Sequence, residues 1–110
     1  MITGASKLVS VANDTKWGEL RLAMLDMDRA PQFRCMDMSG HYSNLDGEWF
    51  YHFRDGPYRT LRFVDLVLKD EEQGAAVLAE LRRIGLAGER TASGYRIYGY
   101  IEPGQPIERF

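Results

Sequence analysis

The run Thr60-Leu61-Arg62-Phe63-Val64-Asp65-Leu66-Val67-Leu68 passes through Lys69 into Asp70-Glu71-Glu72-Gln73, and this junction decides the fold class. Leu61, Phe63 and Val67 alternate onto one side and Val64, Leu66 and Leu68 onto the other, which predicts a central strand with apolar groups on both faces. Past Leu68 the period changes. Asp70 can accept a free amide of a first helical turn, Gln73 stands at the reciprocal capping position, and Glu71 and Glu72 complement the positive end of the dipole. Val77, Leu78, Leu81 and Ile84 form an inner stripe, Arg82 and Arg83 occupy the last turn, and Gly85-Leu86 fits a left-handed terminating glycine with its hydrophobic contact.

Upstream, Asn13-Asp14-Thr15 can cap a helix on which Trp17, Leu20, Met24 and Met27 recur at helical spacing, with Leu22 and Leu25 widening the stripe. Ala30-Pro31 is the expected terminator, because the residue before proline leaves the helical region. Residues 32–38 read as a short strand and residues 39–47 as a polar loop. Trp49, Tyr51 and Phe53 alternate onto one face of a further strand, which a turn at Asp55-Gly56-Pro57 should join to residues 60–68 as a hairpin. A second hairpin is expected from residues 86–91 and 95–101, turning at Ala92-Ser93-Gly94. The whole is one α+β domain over residues 1–110, in the order α-β-β-β-α-β-β. Four to five mainly antiparallel strands carry two helices packed on one face, and residues 1–12 and 103–110 are irregular tails.

Composition narrows the function classes. The chain has 110 residues, 14 Lys and Arg against 16 Asp and Glu, and a net charge of −2. It lacks the basic excess that draws a polyanion, so a nucleic-acid partner is not expected. The single cysteine, Cys35, permits no intrachain disulfide and no Cys-rich zinc site. No apolar run is long enough for a secretory leader or a membrane span, and the protein reads as cytoplasmic. Glycine-rich phosphate loops, the nucleophile elbow and HExxH are absent, so no cofactor and no metal are expected.

Two groups of residues could carry chemistry or recognition. Asp46 and Glu48 bracket Gly47, and with His52, and His41 in the polar loop, they could line a ligand or catalytic cleft beside the hairpin. The plainer reading makes Asp46 and Glu48 a turn and a strand start, His52 a strand residue and Cys35 a small core residue. The larger group is aromatic and basic: Trp49, Tyr51, Arg54, Tyr58, Arg62, Arg96, Tyr98 and Tyr100. With Tyr95 these are more large semi-polar rings than a small core usually hides. They predict a noncatalytic interaction domain that binds a protein partner, or itself as a homodimer, through the sheet face opposite the helices. Arg96-Ile97-Tyr98-Gly99-Tyr100-Ile101 also partly resembles the aromatic strand of RNA-recognition motifs. That likeness implies stacking of single-stranded RNA on Tyr98 and Tyr100, but Ile97 stands where the motif has glycine. Gly99 is read as a point of close backbone approach.

Asn13-Asp14-Thr15-Lys16-Trp17, then Pro31-Gln32-Phe33-Arg34, then Asp46-Gly47-Glu48-Trp49-Phe50 resemble a family of bacterial proteins known only as a domain of unknown function. The resemblance covers roughly residues 8–70 and implies no catalytic role. Read physically, Asn13 or Asp14 caps, Lys16 points outward and Trp17 anchors the first helix on the sheet.

Overall fold

The computed structural model describes residues 7–53 and 57–110. Helix α1 spans Asp14–Asp26, and its cap is Asn13, whose side chain accepts the Lys16 amide at 2.9 Å. Trp17, Leu20 and Met24 bury one stripe, with Arg21 beside them. Leu22 and Leu25 face solvent, so the stripe is narrower than the sequence predicts. Leu22 lies about 200° round the helix from Leu20, beyond the reach of the sheet. The helix also stops before the proline: the Met27 amide donates to the Met24 carbonyl at 3.2 Å in an extended cap.

Helix α2, Glu71–Ile84, forms as the sequence predicts, except that the Gln73 side chain reaches one residue past the cap. Asp70 accepts the Gln73 amide at 2.8 Å, the Gln73 side chain accepts the Lys69 amide at 2.7 Å, and Gly85 ends the helix at φ 83°. Leu86 closes that end, its amide donating to the Leu81 carbonyl.

The strands are β1 (Val9–Ser10), β2 (Gln32–Asp37), β3 (Leu61–Val67), β4 (Ala87–Arg90), β5 (Gly94–Tyr98), β6 (Tyr100–Ile101) and β7 (Glu108–Arg109). Five form one antiparallel sheet in the order β2-β3-β5-β4-β7, and β1 pairs with β6. Strand β3 is central, with a ladder on each side, as its two apolar faces predict. Phe33, Cys35, Val64, Leu66, Tyr95 and Ile97 share the face that meets Trp17, Leu20, Met24, Val77 and Leu81. Both helices therefore cover one side. Gly99 sits between β5 and β6, and a Cβ there would lie 2.4 Å from the Leu61 carbonyl oxygen. Its amide donates to the Arg62 carbonyl and its carbonyl accepts the Val11 amide, so the close approach is the junction of the two sheets. Strands β1 and β7 lie in stretches read from sequence as irregular.

The expected strand at residues 49–53 does not form, and neither does its hairpin with β3. These residues coil into turns, with the His52 amide donating to the Glu48 carbonyl at 3.2 Å. Trp49 and Phe53 are four apart, so a helical-type turn puts both rings on Phe33, with centroids 4.4 and 5.3 Å away. Tyr51 is left 80% exposed. The edge of β2 is taken instead by residues 41–46, read as a polar loop. Their backbone runs antiparallel along it, through Phe33 to Asp46 (2.8 and 3.0 Å), Ser43 to Cys35 (2.9 Å) and Asp37 to His41 (2.9 Å).

Candidate functional site

That edge segment is fastened from the open face of the sheet. The Tyr42 hydroxyl donates to Asp65, Arg34 Nε donates to the Ser43 carbonyl at 2.8 Å, and the Arg34 guanidinium lies 4.0 Å from the centre of the Tyr42 ring. Burial first, and the bond to Asp65 second, push the Tyr42 hydroxyl above its ordinary pKa, which keeps it a proton donor. At its far end the segment delivers Asp46, whose backbone is held to Phe33 from both sides.

Asp46 then organises the next turn. Its Oδ1 accepts the Glu48 amide at 2.8 Å, and its Oδ2 lies 2.7 Å from His52 Nδ1. Glu48 Oε1 in turn accepts the Phe50 and Tyr51 amides at 2.9 and 3.4 Å, capping the turn that carries His52. Trp49 pins this turn to the body: it is 3% exposed, and its Nε1 donates to the Pro31 carbonyl at 2.8 Å. The hydrogen bond from the Glu48 amide, and then the contact with His52, hold the Asp46 carboxyl below its ordinary range. It is therefore an anion that can only accept, so His52 Nδ1 is the donor.

Between the edge segment and the turn lies a cleft of about 650 Å³. Asp37, Ser39, His41, Ser43, Asn44, Asp46 and His52 supply its polar lining; Phe33, Phe53 and Leu61 its apolar wall, and Cys35 also borders it. The three residues grouped from sequence, Asp46, Glu48 and His52, are thus brought together by direct bonds, and His41 joins two of them in the cleft. Glu48 organises the backbone rather than lining the cavity. His52 sits in a turn, not mid-strand. Asp37, Ser39, Ser43 and Asn44 were missed, because only backbone pairing of residues 41–46 with β2 brings this lining together. Among the described residues, no group of three or more His, Cys, Asp or Glu is placed to hold a metal ion.

The aromatic and basic group is dispersed. Trp49 and Tyr58 belong to the helix-side core, and Tyr95 reaches the Gly74 carbonyl from the same side. On the open face Arg96 holds Asp65 through two bonds, 2.7 and 3.0 Å, and lies 4.0 Å from the Phe63 ring centre. Tyr98 is buried beside Phe63 with its hydroxyl on Glu89, and the Tyr100 hydroxyl donates to the Arg59 carbonyl at 2.7 Å. Arg62 is half-buried, Tyr51 is exposed, and Arg54 lies outside the described residues.

The short signatures prove to be joints of this frame. Asp14 accepts the Tyr58 amide at 3.1 Å. Lys16 does not point outward; its Nζ donates to the Gly85 carbonyl at 2.9 Å, setting a cation on the negative end of α2. A family model described as Family of unknown function (DUF6678) matches residues 1–104. The chain belongs to the DUF6678 family. The DUF6678 match extends past the stretch the short signatures cover, taking in α2 and the β4–β5 hairpin. No curated protein and no solved structure matches the chain significantly. Among its described residues, no helix is long and apolar enough to cross a membrane.

Proposed function

We propose that this DUF6678 chain is a cytoplasmic bacterial domain that binds a small polar molecule in the cleft beside Asp46 and His52. The observation that carries the reading is convergence. Polar side chains from β2, the edge segment and the Trp49 turn meet around one cavity of about 650 Å³ with an apolar wall. Small-molecule sites usually combine a few placed polar groups with apolar walls in roughly 300–1,000 Å³. The bacterial and cytoplasmic parts rest on the sequence signatures and the lone cysteine.

Saturation-transfer NMR against amino acids, sugars, nucleosides, carboxylic acids and phosphates tests it. At least one class should receive magnetisation from the protein, and His52→Ala should weaken that binding by about tenfold, the worth of one good polar contact. The His52 side chain is 61% exposed, so the substitution should change stability by only about 0.5–1 kcal/mol. Binding by no class, or equal binding by the variant, would remove the reading.

A protein partner, or a second copy of the chain, is favoured by a separate observation. Phe50 and Tyr51 are both exposed and meet edge to face at 4.7 Å, with the Arg21 guanidinium 5.3 Å from the Phe50 ring centre. Exposed aromatic groups of this kind concentrate interface energy, and the buried Arg21 braces them from beneath, donating to the Phe50 carbonyl at 2.6 Å. Light scattering should then show mass rising with concentration in the native chain and not in Tyr51→Ser. A constant monomer mass would leave only the heterologous partner.

A further inference from the structure

We propose that His52 is the proton-accepting residue of the cleft, with Nδ1–H held by Asp46 and the Nε2 lone pair presented to a bound hydroxyl group or water. This rests on the cleft-binding reading and goes beyond it, from holding a molecule to moving a proton on it.

Three features support the assignment. Asp46 is a fixed carboxylate: its backbone is pinned to Phe33, its Oδ1 is taken by the Glu48 amide, and only Oδ2 is left for the imidazole, at 2.7 Å. An acceptor-only partner at Nδ1 fixes the neutral ring as the Nδ1–H tautomer, which makes Nε2 the basic nitrogen. The ring is also accessible and borders the cavity, with its side chain 61% exposed. The step balances simply. A proton leaves the oxygen of the bound hydroxyl or water for Nε2, the bonding pair stays on that oxygen, and the imidazolium formed is stabilised by the Asp46 carboxylate until the proton returns. Asp46 is a positioning residue.

Asp46→Asn separates this role from a merely structural one. The Glu48 amide needs an acceptor, so the carbonyl of the substituted side chain turns to it and the NH₂ group faces His52 Nδ1. That nitrogen must then accept, which forces the Nε2–H tautomer while the turn keeps its backbone bond. Imidazole ¹⁵N NMR of the native chain should show His52 as Nδ1–H and the variant should show Nε2–H, with His41 unchanged as the internal reference. Carbethoxylation of His52 by diethyl pyrocarbonate should slow by about tenfold or more, as for a base held in its wrong tautomer. In that reaction nitrogen attacks one carbonyl and ethyl carbonate leaves, breaking down to ethanol and carbon dioxide. Nε2–H in the native chain, or no change of tautomer and rate in the variant, would overturn the inference. The tautomer is read without any ligand. A native Nδ1–H signal in a cleft that binds no probe would therefore sink the binding reading alone, and the wrong tautomer would sink this inference alone.

Discussion

Trp49→Ala should destabilise the fold by about 3–5 kcal/mol, a large part of the roughly 5–15 kcal/mol typical of a domain. Trp49 packs at a tilt against Phe33 and Phe53, with ring centres 4.4 and 4.7 Å away, and its Nε1 satisfies the buried Pro31 carbonyl. Truncation opens a ring-sized cavity and leaves that carbonyl without its donor. Trp49→Phe should cost less, since a ring survives and the main loss is the indole bond, worth about 1–2 kcal/mol. Urea unfolding followed by circular dichroism measures both. The midpoint should fall with little change in slope. A tryptophan whose work is to meet a partner would behave oppositely, weakening association and leaving the isolated chain nearly as stable. Unchanged stability in Trp49→Ala would therefore return this residue to the interface set. The alanine variant should also free the turn that carries His52, so the Asp46–His52 contact should disappear from the imidazole spectrum along with the stability.

Trp49 also shows where the sequence becomes ambiguous. Trp49, Tyr51 and Phe53 satisfy period two, while Trp49 and Phe53 alone satisfy a helical turn. Local spacing cannot choose between them, and the choice falls to Phe33, sixteen residues upstream, whose ring both must cover. Helix α2 is the opposite case. Its cap, reciprocal glutamine, terminal arginines and left-handed glycine all lie within sixteen residues, so each signal is complete without the rest of the fold. Residues 41–46 are the hardest kind to read. Their side chains look like a loop, yet the segment occupies a sheet edge, and backbone atoms pair there without leaving a mark in the side-chain pattern.

The cleft divides along the same line. Asp46, Glu48 and His52 lie within seven residues, so a single turn could bring them together and their chemical types could be grouped from sequence. Asp37 and Ser43 enter through pairing that only the folded edge creates. The aromatic count misled for a related reason. Trp49 and Tyr58 are absorbed by the core, but Tyr98 and Phe63 are buried edge to face on the side away from the helices, with the Arg96 guanidinium 4.0 Å from the Phe63 ring centre. A small domain can thus hide more rings than its helix-side core suggests, because long side chains cover apolar surface while their charged ends are paired.

The pairing of Arg96 with Asp65 accounts for the second large effect. Asp65→Ala should cost about 3 kcal/mol, toward the low end for breaking a buried pair because the Arg96 side chain remains 31% exposed. The carboxylate serves two partners on one face, Arg96 through two bonds and Tyr42 through its hydroxyl, so its loss strands a half-buried guanidinium and unfastens the edge segment together. Two controls separate the parts. Tyr42→Phe keeps the ring under Arg34 and removes only the hydroxyl, so it should cost about 1 kcal/mol and speed amide exchange through residues 41–46. Arg96→Met removes the stranded cation, so Asp65→Ala with Arg96→Met should be more stable than the sum of the single variants allows, with a coupling of about 1–3 kcal/mol. Additive losses would mean that the pair contributes nothing of its own and that packing alone holds the open face. Faster exchange at residues 41–46 in Asp65→Ala, with β4 and β5 still protected, would show that the wall of the cleft is held by a carboxylate on the far side of the sheet.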